Sequence, residues 1–104
     1  MSEQKQKTIY ISGKITDLDI NVAKDNFKKA EEFVESEMPH FKPINPFDVC
    51  EQKPEYKWID YMRADIKALV DCDAILMLPD WNTSDGAKLE LQIAQGLNME
   101  IYYI

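Results

Sequence analysis

Histidine, cysteine and glycine are all scarce in this 104-residue sequence, and each shortage excludes a class of chemistry. One histidine, His40, rules out a zinc site built on several imidazoles. A Ser-His-Asp triad would have to use that same residue, which sits in a polar stretch beside Pro39. The two cysteines, Cys50 and Cys72, stand 22 residues apart with no second pair. Neither a CxxC redox motif nor a disulfide framework is present, and reduced thiols in a cytoplasmic protein are the expectation. With only Gly13, Gly86 and Gly96, a GxGxxG dinucleotide fingerprint cannot be made. The string Ser12-Gly13-Lys14-Ile15-Thr16 has the outline of a P-loop and fails as one. Thr8 stands where the first glycine must be, and Ile15 where a Ser or Thr must follow the lysine.

Positive charge is also short. Twelve Lys and Arg face nineteen Asp and Glu, a net charge of −7. Binding to a nucleic acid polymer needs clustered cations, so none is expected. No apolar run approaches the ~20 residues of a membrane helix and no signal peptide precedes the first strand, so no membrane association is expected. The hydrophobic fraction of 45% is that of a globular chain, and the length suits one domain over residues 1–104.

Residues 1–7 read as a polar, frayed lead. A β-rich run at 8–12 ends at Gly13 and reads as a buried strand. Ile20, Ala23, Phe27, Ala30 and Val34 recur at helical spacing and predict an amphipathic helix over 20–37. Residues 41–44 form a second strand weakened by Pro43. A loop follows to about residue 55, then a helix over 56–70 and a continuous apolar strand over 74–78. Ser84 or Asp85 caps a third helix running to Leu97, and a last strand covers 101–104. The order β-α-β-α-β-α-β predicts a single three-layer α/β domain, Rossmann-like or flavodoxin-like. Its four-stranded parallel sheet would carry helices on both faces. Ligands of such sheets sit beyond the carboxyl ends of the strands, here Ser12-Gly13-Lys14, Asn45-Pro46 and the loop 79–84.

Two acids break the helical pattern. At roughly 100° per residue, Glu90 falls between Leu97 and Ala94 in the apolar arc of the third helix. Asp65 falls between Tyr61 and Trp58 in that of the second, while Arg63 and Lys67 face the other way. A carboxylate in an apolar stripe is costly unless it is paired or used. Two of them near the strand ends predict a desolvated pair with raised pKa values. Such a pair suits glycosidic cleavage through an oxocarbenium-like transition state.

Four segments, taken together and in this order, carry a family resemblance: Tyr10-Ile11-Ser12-Gly13, Tyr61-Met62-Arg63-Ala64-Asp65, Asp73-Ala74-Ile75-Leu76 and Ser84-Asp85-Gly86-Ala87-Lys88-Leu89-Glu90. They resemble the nucleoside 2-deoxyribosyltransferase superfamily, which includes the 2′-deoxynucleoside 5′-phosphate N-hydrolases and short phage and bacterial members. The resemblance implies Glu90 as the nucleophile at the anomeric carbon and Asp65 as the acid that assists departure of the base. It implies substrate contacts from Tyr10, from Ser12, Gly13 and Lys14 near the sugar 5′ end, and from Asn45, Ser84 and Gly86. Ser84 matches a position that meets a 5′-phosphate in the hydrolases, and a helix N-terminus favours such an anion. No cofactor or metal is implied. The substrate class is a small deoxynucleoside or deoxynucleotide.

The resemblance also implies a C-terminal tail that helps complete a neighbouring subunit's pocket, which a sequence ending at Ile104 does not carry. Lys88 stands where the family often has a small residue, and residues 47–57 match nothing in it. Three readings therefore stay open: an enzyme that hydrolyses or transfers the N-glycosidic bond, a non-catalytic module that binds a nucleotide derivative, and an interaction protein with an incidental pocket. Trp58, Tyr61, Trp81, Tyr102 and Tyr103 are many aromatics for so small a core. They point either to a homo-oligomer interface or, for Trp58 and Tyr61, to a pocket wall around Asp65.

Overall fold

A computed structural model describes residues 6–104. The chain runs β1 (Lys7–Ser12), α1 (Ile20–Glu37), β2 (Phe41–Ile44), α2 (Pro46–Val49), α3 (Trp58–Val70), β3 (Ala74–Met77), a 3₁₀ turn (Trp81–Thr83), α4 (Asp85–Gly96) and β4 (Glu100–Tyr103). All strand pairs are parallel, in the order β2-β1-β3-β4. This is a flavodoxin-like α/β domain, as the alternation of elements predicts.

The strands divide their side chains between two cores because successive residues point to opposite faces. Ile9, Ile11 and Leu76 face α1, where Phe27, Ala30 and Val34 bury the stripe read from the sequence. Tyr10, Ile75 and Met77 face α3 and α4, against Leu69, Ala87, Leu91 and Ala94. Pro43 is accommodated because β2 is an edge strand that needs hydrogen bonds on one side only.

Helix ends follow local chemistry. Asp19 Oδ1 accepts from the backbone N–H of Asn21 at 2.9 Å and of Val22 at 3.3 Å, which starts α1. Ser84 Oγ accepts from Ala87 N–H at 3.1 Å, which starts α4. Asn98, at φ 57°, turns the chain out of α4, with Met99 N–H returning to the Ala94 carbonyl at 3.0 Å.

Four expectations are corrected. Lys7 is the first residue of β1, paired in register with Phe41, while residues 1–5 lie outside the described residues. The loop after β2 contains the short helix α2, which Asn45 initiates by accepting from Phe47 N–H at 3.0 Å with Pro46 in the first turn. The next helix starts at Trp58 and not at residue 56, where Asp60 Oδ2 accepts from Lys57 N–H at 2.8 Å. Leu97 lies past the end of α4, 53% exposed, because the Asn98 turn takes the chain away before that position can reach the core.

Gly13 follows β1 where Leu78 crosses it, and a Cβ there would come within 2.9 Å of Leu78 Cβ. Gly13→Ala is expected to cost about 1–3 kcal/mol of stability through overpacking. Gly96 lies in the last turn of α4 with nothing near its missing side chain. Gly96→Ala is expected to add about 0.5–1 kcal/mol. Urea denaturation of both variants checks the opposite signs.

Candidate active site

At the carboxyl end of the sheet, a cavity of about 280 Å³ opens between β1, the α2–α3 segment and the start of α4. Its size is near the lower end for small-molecule pockets, roughly 300 Å³. Tyr10, Asp65 and Glu90 line it on the side of the sheet and helices. Gly13, Ile15 and Thr16 contribute the loop after β1, and Ser84 and Gly86 the start of α4.

Glu90 is 4% exposed and sits on the face of α4 that packs on the sheet. Tyr10 Oη donates to Glu90 Oε2 at 2.7 Å, and Ser12 Oγ donates to Glu90 Oε1 at 2.7 Å. Burial pushes the Glu90 carboxyl up to about 7, against the two hydroxyl donors, which favour its charged form; the Asp65 charge raises it further. Tyr10 itself is pushed well above the usual phenol range, by burial first and by the Glu90 charge second, so its hydroxyl keeps its proton and stays a donor.

Asp65 is 7% exposed, one turn along α3 from Tyr61. Burial alone pushes its carboxyl up to about 7. The sequence geometry that turned both acids inward is therefore what the fold contains. The two acids share one cavity and differ in one respect: Glu90 accepts two hydroxyl hydrogen bonds, and burial is the sole cause of the shift at Asp65.

The remaining expected positions divide. Tyr10, Gly13, Ser84 and Gly86 line the cavity. Ser12, 1% exposed, does not line it and instead stands behind Glu90. Lys14 does not line it either. Its side chain borders an adjoining hollow shared with Thr16, Trp58, Ser84 and Gly86, and its backbone N–H donates to Asp80 Oδ1 at 3.3 Å. Asn45 is outside the cavity, its amide occupied by the α2 cap and by donation from Nδ2 to Glu31 Oε1 at 2.7 Å. Among the described residues, no group of three or more His, Cys, Asp or Glu side chains could hold a metal ion. Among those residues, too, no helix is long and apolar enough to cross a membrane.

The far wall comes from the stretch 47–57, which the sequence left without a role. Phe47, Cys50 and Gln52 line the cavity there, with Trp58 and Tyr61 beside them. Phe47 is anchored edge-on against Phe27, ring centroids 5.4 Å apart. Tyr61 Oη accepts from Lys53 N–H at 3.1 Å and donates to Lys53 O at 3.0 Å, which ties the loop to α3. Tyr56 packs on the Tyr61 ring at 5.6 Å. The wall-forming reading of Trp58 and Tyr61 thus holds. Cys50 stays a thiol, since burial and the nearby Asp65 charge raise its pKa.

Both site acids bind protons more tightly folded than unfolded. Their contribution to stability is full below the ordinary carboxylate range and is lost as pH rises toward about 7. Asp65→Asn is expected to narrow the stability difference between pH 5 and pH 8 by about 2 kcal/mol. Urea midpoints of the two proteins at both pH values test this.

The chain adopts the fold of a solved 2-desoxiribosyltransferase from Leishmania mexicana, with a TM-score of 0.65 and 20% identity. The match covers 94% of this chain and 63% of that one, so this chain spans less than two thirds of its neighbour's length. No curated protein matches it in sequence. Residues 7–103, nearly the whole chain, match one family described as a domain of unknown function, DUF4406, and the chain belongs to that family.

Proposed function

We propose that the protein breaks the N-glycosidic bond of a 2′-deoxynucleoside or its 5′-monophosphate, with Glu90 as nucleophile and Asp65 as general acid. The observation that carries this reading is the unequal treatment of two buried carboxyls in one cavity. Hydroxyl donors favour charge on Glu90, and desolvation without a donor favours the proton on Asp65. With both carboxyls pushed up to about 7, the productive state is the one with a single proton, held by Asp65, the acid without a hydroxyl donor. That is the state a double displacement requires.

In the first step Glu90 Oε2 forms a bond to the anomeric carbon as the carbon–nitrogen bond breaks. The electron pair stays on the base nitrogen, and Asp65 supplies the proton to the base. In the second step Asp65, now ionised, takes a proton from water or from a second base. That nucleophile bonds the anomeric carbon and Glu90 departs as carboxylate. Water gives hydrolysis, and a base gives transfer. The Trp58 and Phe47 rings offer flat apolar faces to a nucleobase. Ser84 and Gly86 begin α4, whose free N–H groups and dipole suit a 5′-phosphate, with Lys14 adding charge from the adjoining hollow. The shared fold with a 2-desoxiribosyltransferase supports this reading.

The test is release of free base from a panel of deoxynucleosides and their 5′-monophosphates, read by chromatography. Turnover is expected in the wild type, with a loss of at least about 10³-fold in Glu90→Gln and about 10²–10⁴-fold in Asp65→Asn. Saturable binding with no release from any member would overturn the enzymatic reading in favour of a binding module. The kcat/KM profile is expected to be bell-shaped about neutral pH. Activity falls on the acid side as Glu90 gains a proton and on the basic side as Asp65 loses one.

A further inference from the structure

Ser12 holds a place that neither step above uses. Alternation along β1 sends it to the same face as Tyr10, two residues on, and there the two hydroxyls take one carboxylate oxygen of Glu90 each. The environments of the two oxygens differ. Tyr10, the partner of Oε2, lines the cavity; Ser12, the partner of Oε1, is buried behind it and out of reach of a substrate. A carboxylate held by one donor can rotate about its last torsion, which is broad and two-fold. Held by two, it presents a defined oxygen.

We propose that Ser12 is a positioning residue that clamps Glu90 Oε1 and so commits Oε2 to attack. This rests on the reading of Glu90 as nucleophile and corrects the expectation that Ser12 touches substrate. The same hydrogen bond has a use in the second step. In the glycosyl-enzyme, Oε2 is bonded to the anomeric carbon and Oε1 becomes the ester carbonyl oxygen. Ser12 goes on donating to it, and the negative charge that returns to the carboxylate when the ester bond breaks meets a donor already in place. The charged and titratable groups facing Glu90 are Tyr10 from β1 and Asp65 from α3; among the described residues no cation contributes to its shift. Of the two donors, Ser12 lowers the Glu90 pKa more than Tyr10 does.

The experiment compares wild type, Ser12→Ala and Ser12→Thr, each checked for the native circular dichroism spectrum. Ser12→Ala is expected to lower kcat roughly ten- to a hundredfold with KM nearly unchanged, the effect of losing one hydrogen bond to a charged group. The acid limb of its kcat/KM profile is expected to move up by about one pH unit or more, since a lost donor leaves Glu90 harder to ionise. Ser12→Thr keeps the hydroxyl and restores both. A raised KM with kcat intact would mean that Ser12 meets the substrate and would overturn the proposal, as would an unmoved acid limb. Titration of the Glu90 carboxyl by carbon NMR in wild type and Ser12→Ala gives a readout that needs no turnover. If no deoxynucleoside is cleaved, the nucleophile reading fails, yet an upward shift of the Glu90 titration in Ser12→Ala still supports the clamp. Titrations that coincide would sink it.

Discussion

Two hydroxyl hydrogen bonds to Glu90 are the constraint around which the cavity end of this domain is arranged. A carboxylate taken out of water without donors costs more than a small domain's whole margin of stability. The donors come from one strand. Tyr10 and Ser12 are two residues apart on β1 and therefore share a face, and α4 lies across that face with Glu90 turned toward them. Replacing the Ser12 hydroxyl would leave Oε1 buried with no partner. The geometry of Glu90 and the packing of α4 on the sheet are thus one feature.

Topology decides why the site lies where it does. The chain leaves β1 to one side for β2 and returns past it to β3, so the loops after β1 and β3 diverge and leave a crevice between them. Gly13 begins one wall and Ser84 to Gly86 the other. The absence of a side chain at Gly13 lets Leu78 close against the end of β1. The crevice floor is then Tyr10 and Glu90, both buried, and Asp65 enters from α3 on the same side of the sheet.

The far wall has a different origin. The stretch 47–57 has no periodicity and little secondary structure, yet it is fastened at two points. Phe47 packs on Phe27 of α1, and Lys53 is bracketed by the Tyr61 hydroxyl. A loop held in this way walls the cavity that Asp65 and Glu90 share. Residues such as Gln52 there can face a ligand without altering the acids beneath.

The sequence alone determined the parallel α/β architecture, the boundaries of α1 and β2 and the inward aim of Asp65 and Glu90, and narrowed the cap of α4 to Ser84 or Asp85. Each of these is set by near-neighbour chemistry: helical and strand periodicity, capping side chains and the angle between positions on one helix. Only the tertiary structure decided what those acids meet. Ser12 was expected at the substrate and stands behind Glu90; Lys14 and Asn45 were expected as substrate contacts and lie outside the cavity. Phe47, Cys50 and Gln52 carried no signal, because residues on an irregular segment acquire a partner only when it is folded against a distant helix. The unequal hydrogen bonding of the two carboxyls belongs to the same class. It depends on which acid finds hydroxyl donors, and those donors lie 78 and 80 residues from Glu90 along the chain.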